Sequence, residues 1–484
     1  LQHTAMIVSY ALFHVARLLL EAMLARRSFV VAIGFGLVAA LMALGRDQVA
    51  FLFCLVLLAR AGTLVLAGPD RRAMLLSRLP VLLLAGVVGA AVLAVPALLT
   101  LQLLADSNRP EIGLGTALKG SLAPANLVTM LMPDAFGSLT SMYTYWGPGP
   151  ATLGPGDWTD PSVNYLFFGT LPFVLLVAIG LVSGRLFERE IRFVAIVGLV
   201  AFVYALGRHT PVFEALFSLV PGVSLYRRPA DATFVLNAMV ALGVGHVVHR
   251  LITAEARPLG ELRVAIVAAC FLGLGLVALA YGASGQRFGD TVRPVILGVF
   301  AGVLALGLVA FALRSRHRVA ILGVGLALTA TELAWRNGAS MVNAEPHARY
   351  AVLDTPAAEE RAVIEAISRT LRQLTREGRR PRVEIVGLPG PWMNAAMAHG
   401  IEDTVSYNPL RLDAYQRAIG PGENAGDINL RRYPRTFRGY RSTMARLLGI
   451  EVVVFDRPIE KLPVHVPRPT DALSLIHISQ GIVR

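Results

Sequence analysis

The chain has 484 residues, of which 55% are hydrophobic and only 16% charged, with a formal net charge of +13. That leaves too little polar surface for a soluble protein of this length, so the composition points to a lipid-embedded chain. Nucleic-acid binding is excluded as well: the arginines fall mostly in short links between apolar runs, as membrane orientation signals do, and no basic stripe with interleaved aromatics appears.

Apolar stretches occupy 4–24, 29–44, 49–67, 80–99, 162–183, 193–206, 232–248, 264–282, 294–313 and 319–335, and stop near Arg336. Those from Pro80 to Leu99, Val264 to Gly282 and Pro294 to Leu313 carry no charge, over a length that matches a hydrocarbon core of about 30 Å. The pattern predicts a mainly α protein: a polytopic transmembrane helical bundle of about ten spans over 1–336, then a small extracytoplasmic α/β domain over 337–470. Cys54 and Cys270 fall within apolar spans and read as small packing residues.

Alternate links hold Arg26 and Arg27, then Arg71, Arg72 and Arg78, then Arg185, Arg189 and Arg192, then Arg250, Arg257 and Arg263, then Arg314, Arg316 and Arg318. These links are assigned to the cytoplasm, which makes this a multi-pass membrane protein. The links around Arg46, 101–161, 207–231 and Arg287, and the C-terminal domain, are then outside. Residue 1 is placed outside too, without a start methionine or signal sequence, so part of the N-terminus is expected to be missing. The segment from Leu473 to Ser479 looks like translated adaptor sequence, and 471–484 is expected to be a non-native tail.

The outer links carry the chemistry-bearing residues. The one at 101–161 contains Asp106, Asn108, Arg109, Asp134, the aromatics Tyr143, Tyr145 and Trp146, and further acids at Glu111, Asp157 and Asp160. A plain surface loop with interfacial aromatics is the competing reading. The link at 207–231 begins Gly207-Arg208-His209-Thr210-Pro211, an N-cap and first-turn signature for an amphipathic surface helix over 212–220 closed by Pro221-Gly222. Arg208, His209, Arg227 and Arg228 sit outside against the usual charge bias, which suits a grip on a lipid phosphate or pyrophosphate. Arginines snorkelling to headgroups explain them equally well.

Within the spans, Arg17 and Glu21 stand at i and i+4 and Arg60 lies toward the same membrane side, a structural pairing rather than an ion path. No His/Asp/Glu spacing resembles a metal site, and no phosphate loop, nucleophile elbow or dinucleotide fingerprint occurs. In the C-terminal portion a helix is predicted from Pro356 to Glu377, with strands at 382–387 and 450–455. Tyr407, Asn408, Tyr415 and Trp392 suit either an acceptor-binding surface or packing.

Four blocks carry a family resemblance. They are Val95 to Arg109, with Ser121 to Pro124 and Leu131 to Gly137 downstream; Asn164 to Gly169 with Leu171-Pro172, including Tyr165; Gly207 to Pro211 through Val220 to Gly222 and Arg227 to Asp231; and Ile401 to Leu412 with Leu448 to Val454. Their order resembles the bacterial YfhO-type membrane proteins, a branch of the GT-C superfamily of polytopic glycosyltransferases. The resemblance implies transfer of a sugar from a polyprenyl-phosphate donor to a cell-envelope glycan or protein acceptor on the outer face of the cytoplasmic membrane. It also implies a catalytic acid, with a divalent metal in the full-length protein, in a loop upstream of Leu1. Arg208, His209, Arg227 and Arg228 then become donor-phosphate candidates, and Asp106, Asn108, Arg109, Asp134 and Tyr165 positioning candidates. A non-catalytic membrane partner, or a lipid or polysaccharide transporter in envelope assembly, is the alternative.

Overall fold

In the computed structural model of the chain the residues described are 4–45, 47–66, 70–107, 112–137, 145–147, 165–253, 259–338, 347–386, 391–404, 412–414, 443–455 and 474–477. They divide into two compact units, Leu1–Ala97 with Glu111–Ala344, and Leu98–Pro110 with Glu345–Arg484.

The first unit is helical and membrane-embedded. Six helical stretches are long and apolar enough to cross a bilayer: Ala5–Arg26, Gln48–Leu66, Arg71–Ala105, Pro229–Thr253, Ile266–Arg314 and Arg318–Gly338. Phe29–Ala43, Thr170–Leu181 and Arg192–Ala205 are apolar but shorter. In chain order the helices are α1 (Thr4–Arg26), α2 (Phe29–Ala43), α3 (Gln48–Leu66), α4 (Arg71–Ala105), α5 (Leu114–Ala117), α6 (from Thr170), α7 (Arg192–Ala205), α8 (Val212–Leu219), α9 (Thr233–Thr253), α10 (Leu259–Ser284), α11 (Phe288–Arg314) and α12 (Arg318–Gly338). The stretch Ile266–Arg314 holds most of α10 and all of α11, joined by a single tight turn at Gly285–Arg287.

Two hydrophobic clusters hold this unit, and α9 serves both. One packs α1, α3, α7 and α9, with Phe13 stacked on Phe53 at 4.2 Å. The other packs α6, α9, α11 and α12 through residues such as Leu175, Val247, Val309 and Leu322. Half of the apolar window around α9 is buried against 11% for α4, so α9 is the central post and α4 a peripheral helix.

Two expectations need correction. The apolar stretch at 162–183 is not helical from its start: 165–169 carry no helix, and α6 begins at Thr170 after Gly169, whose φ of +104° only glycine adopts without strain. A Cβ there would also stand 2.6 Å from Thr329 of α12, so the segment is pressed against a neighbour. The second half of this element, Leu175–Leu181, widens into a π-helix, with Val182 N donating to Val177 O at 3.3 Å.

The other correction concerns the link after α4. Its residues 124–137 do not lie on the surface but run down the side of α11. Thr291 Oγ1 donates to Ala135 O at 3.2 Å; a Cβ on Gly298 would be 2.7 Å from Met132; and one on Gly302 would be 3.5 Å from Leu131. Gly302 is nine residues past Arg293, the last charge of that helix before its apolar run, hence about 13 Å deeper along the axis. The segment thus packs along the apolar run of α11. Backbone that is not α-helical survives at such depth only when protein covers it and its polar groups find partners. Val128 and Met132 are fully buried, Leu166 N donates to Thr129 Oγ1 at 3.0 Å, and Met132 N to Val128 O at 2.9 Å.

The second unit contains a three-stranded parallel sheet, ordered β1 (Arg382–Val386), β2 (Ile450–Phe455) and β3 (Ser474–His477). The first two strands, and α13 (Ala358–Arg376), fall where alternation and helical spacing place them. Ile364 and Ile367 of α13 pack on Val383, Val452 and Val454, together with Trp392 of α14 (Trp392–Ala398). Ser474–His477, inside the expected non-native tail, lies beside β2 as a regular parallel neighbour.

Candidate functional site

At one end of the helical unit three segments far apart in sequence interlock. Leu122 N donates to Ala205 O at 2.8 Å, Arg228 N to Ala117 O at 3.1 Å, and Arg208 N to Ser121 Oγ at 2.9 Å. Two glycines permit this closeness. Gly207 has φ +49°, and a Cβ on it would fall 2.1 Å from Ser121 Oγ and 2.9 Å from Pro229; one on Gly120 would lie 2.7 Å from the Arg228 Cα. Gln48 at the start of α3 ties the platform to α7. With its amide oriented to satisfy both sides, its oxygen accepts from Tyr204 Oη at 2.8 Å and its nitrogen donates to the carbonyls of Arg227 and Arg228.

All four donor-phosphate candidates sit on this platform. The Arg208 guanidinium donates to Leu118 O through Nε at 3.4 Å and Nη2 at 3.3 Å. Arg228 is half-buried in a left-handed conformation, φ +69°, its Nε 3.6 Å from Asp231 Oδ2, and the Asp231 side chain is only 2% exposed. Its charge is therefore largely matched from below. Arg227 and His209 are exposed. Burial, and then the adjacent Arg208, hold the His209 imidazole below its usual pKa. Lys119, between the residues that meet Arg208 and Arg228, adds a cation that the sequence reading passed over, because nothing in the chain announces that 118–120 fold onto 207–208 and 228.

The helix after this turn differs in one detail from expectation. Thr210 does not cap it; its hydroxyl reaches back to Val203 O at 3.4 Å, and α8 starts at Val212 after Pro211.

A second group forms where the end of the segment 124–137 meets α12. Arg336 Nη1 lies 2.7 Å from Asp134 Oδ2 and its Nε 3.6 Å from Glu332 Oε1, while the guanidinium caps the Phe167 ring at 5.3 Å. Thr170 Oγ1 donates to Glu332 Oε1 at 3.5 Å. Burial, followed by the charge of Asp134, raises the Tyr165 pKa, so the phenol stays protonated beside this group. Asp134 and Tyr165, both positioning candidates, are thus brought together around Arg336 and Glu332. Glu332, an acid in the last turns of an apolar span, was the available signal.

Deeper in the segment, Asn126 is fully buried; its Oδ1 accepts from Tyr145 Oη at 3.1 Å, and its Nδ2 has no hydrogen-bond partner among the described residues. Burial pushes the Tyr145 phenol up to about 12, so it remains a donor. Asp106 belongs to the other unit, where it is exposed and its carbonyl accepts from Asp413 N at 2.9 Å. Asn108 and Arg109 lie outside the described residues, as do Tyr407, Asn408 and Tyr415. Trp392, 5% exposed, is a core residue and offers no acceptor surface.

At the opposite end, Glu188, Glu190 and His246 bring ligand-type atoms within 4.8 Å of one another, although no sequence spacing suggests it. Glu188 Oε2 is already 2.9 Å from Arg250 Nε and 3.1 Å from His246 Nε2. A fixed guanidinium there competes with any cation, and the group reads as an ion-pair network between α9 and the link before α7. A similar network joins α1 to α3, where Glu21 meets Arg17 at 3.4 Å and Arg60 at 2.9 Å.

No known family, no curated protein and no solved structure matches the chain.

Proposed function

We propose that this chain is the membrane-embedded body of a glycosyltransferase that takes a sugar from a polyprenyl-phosphate donor and passes it to a cell-envelope acceptor. In this reading about ten spans cross the bacterial cytoplasmic membrane, the basic links face the cytoplasm, and the platform and the C-terminal α/β portion face outward. The single observation that carries it is the interlocked platform, which gathers Lys119, Arg208, His209, Arg227 and Arg228 at one end of an apolar bundle. A lipid-linked phosphate suits such a place: its tail stays in the bilayer while guanidinium groups meet its oxygens where the leaving charge develops. Arg227, the exposed arginine of the platform, makes the first contact. Asp134 and Tyr165, held by Arg336, position the acceptor hydroxyl from the side of the segment 124–137.

The test uses the purified protein in bilayer nanodiscs with radiolabelled polyprenyl phosphate. Arg227→Ala weakens binding about tenfold, as expected for one charge-assisted contact of 1.5–3 kcal/mol with part of it lost to solvent, and Arg227→Lys recovers part of it. Unchanged binding in Arg227→Ala removes the phosphate role. Binding intact but no transfer from any polyprenyl-phosphate sugar in washed membranes favours a non-catalytic partner of envelope assembly.

A further inference from the structure

The lipid-facing side of α11 and α12 carries a groove of about 730 Å3, lined by Leu304, Gly307 and Phe311 on one helix and by Ile321 and Val324 on the other. It lies toward the end of the helical unit opposite the platform, so it is separate from the donor site proposed above. Gly307 opens it: a Cβ at that position would meet nothing within 4 Å. Phe311 and Val303, which also borders the groove, stand three and eleven residues before Arg314. At the rise of an α-helix the groove therefore runs from about 4 to about 16 Å below the turn between the two helices. That is the depth of one leaflet of a hydrocarbon core of about 30 Å.

The turn itself is Arg314-Ser315-Arg316-His317-Arg318, with no acid among its five residues. Arg314 and Arg316 are exposed; Arg314 Nη1 donates to its own helix at Ala310 O, 3.3 Å away, which points the guanidinium back toward the groove end, and Arg316 Nε meets His317 Nε2 at 3.0 Å. An apolar channel of leaflet depth beneath a cluster of guanidinium groups matches one class of ligand, an anionic phospholipid with an acyl chain between the helices and its phosphate at the turn. We infer that this groove is a binding site for an anionic phospholipid, held by α11 and α12. A zwitterionic lipid fills the same channel but gains less from three arginines, each worth about 1 kcal/mol near a membrane surface.

Native mass spectrometry of the full chain, with phosphatidylglycerol and phosphatidylcholine added separately, reads the first bound lipid directly. The wild type is expected to bind the first phosphatidylglycerol about tenfold more tightly than the first phosphatidylcholine. The triple variant Arg314→Gln, Arg316→Gln, Arg318→Gln brings the two affinities together, and Gly307→Leu, which fills the channel and leaves every charge in place, weakens the first binding event for both lipids. Equal affinities in the wild type leave only ordinary boundary lipid and overturn the inference. Unchanged phosphatidylglycerol binding in Gly307→Leu also overturns it, because the arginines then act as a surface charge without a groove. Should Gly307→Leu unfold, Gly307→Val narrows the same channel with a smaller side chain and is read in the same way.

Discussion

Gly298→Ala tests whether residues 124–137 enter the bundle. A methyl group at Gly298 would lie 2.7 Å from Met132 Cγ, 2.8 Å from Leu131 O and 3.2 Å from Met132 Cα. Two of these atoms belong to the backbone, so rotating a side chain does not relieve the clash; either the segment or α11 moves. Overpacking of this kind costs about 1–3 kcal/mol, and the better helix propensity of alanine returns up to about 1 kcal/mol. A net local loss of about 1–2 kcal/mol speeds the exchange of amides such as those of Met132 and Ala135 about 5- to 30-fold, if exchange proceeds through local opening. Hydrogen–deuterium exchange of peptides covering 124–137, read in nanodiscs, measures it. Gly307→Ala is the control: it makes the same change on the same helix where nothing lies within 4 Å. Equal protection of 124–137 in the two variants would refute the packing of this segment against α11.

Three further outcomes follow from the same geometry. His209 has a lowered pKa, so at neutral pH its imidazole is uncharged; as pH falls through that lowered value the wild type gains polyprenyl-phosphate affinity relative to His209→Gln, and above it the two coincide. A constant ratio from pH 7.5 to 5 would exclude His209 from the phosphate contact. Glu21→Gln leaves Arg17 and Arg60 without their shared carboxylate, and since all three are about a quarter to a third exposed the loss is discounted to about 1–2 kcal/mol, visible as a lower unfolding temperature in detergent; no change there would mean that solvent already screens the triad. A double-mutant cycle of Asp134→Ala and Arg336→Ala should give a coupling of about 0.5–1 kcal/mol, because Asp134 is 43% and Arg336 29% exposed, and a coupling of zero would dissolve the second group as a unit.

The spans were legible because an uncharged run long enough to cross a bilayer has few other uses in a chain, and the positions of α4, α10 and α11 follow from that alone. What hydropathy does not encode is how an apolar residue is covered. Residues 165–169 read as the start of a span because Leu166, Phe167 and Phe168 are apolar, yet Leu166 and Phe167 are buried by protein in backbone that is not helical, and only the positive φ of Gly169 marks where the helix can begin. Residues 124–137 erred the other way: Asn126, Pro133 and Asp134 look like loop chemistry, while Val128, Leu131 and Met132 between them pack against α11 at membrane depth.

The candidate site was legible in its residue types but not in its partners. Four basic side chains assigned outward against the charge bias identified 207–231, and the structure gathers them on one platform. Their surroundings decide what each can do, and those come from elsewhere in the chain: Asp231 engages Arg228, Leu118 O receives Arg208, and Arg336 reaches Asp134 across 202 positions. A guanidinium already matched by a buried carboxylate binds a second anion weakly, because the new ligand must compete with a partner that cannot leave. Arg228 and Asp231 therefore act by holding the turn, and the turn presents Arg227, the exposed arginine among the four candidates.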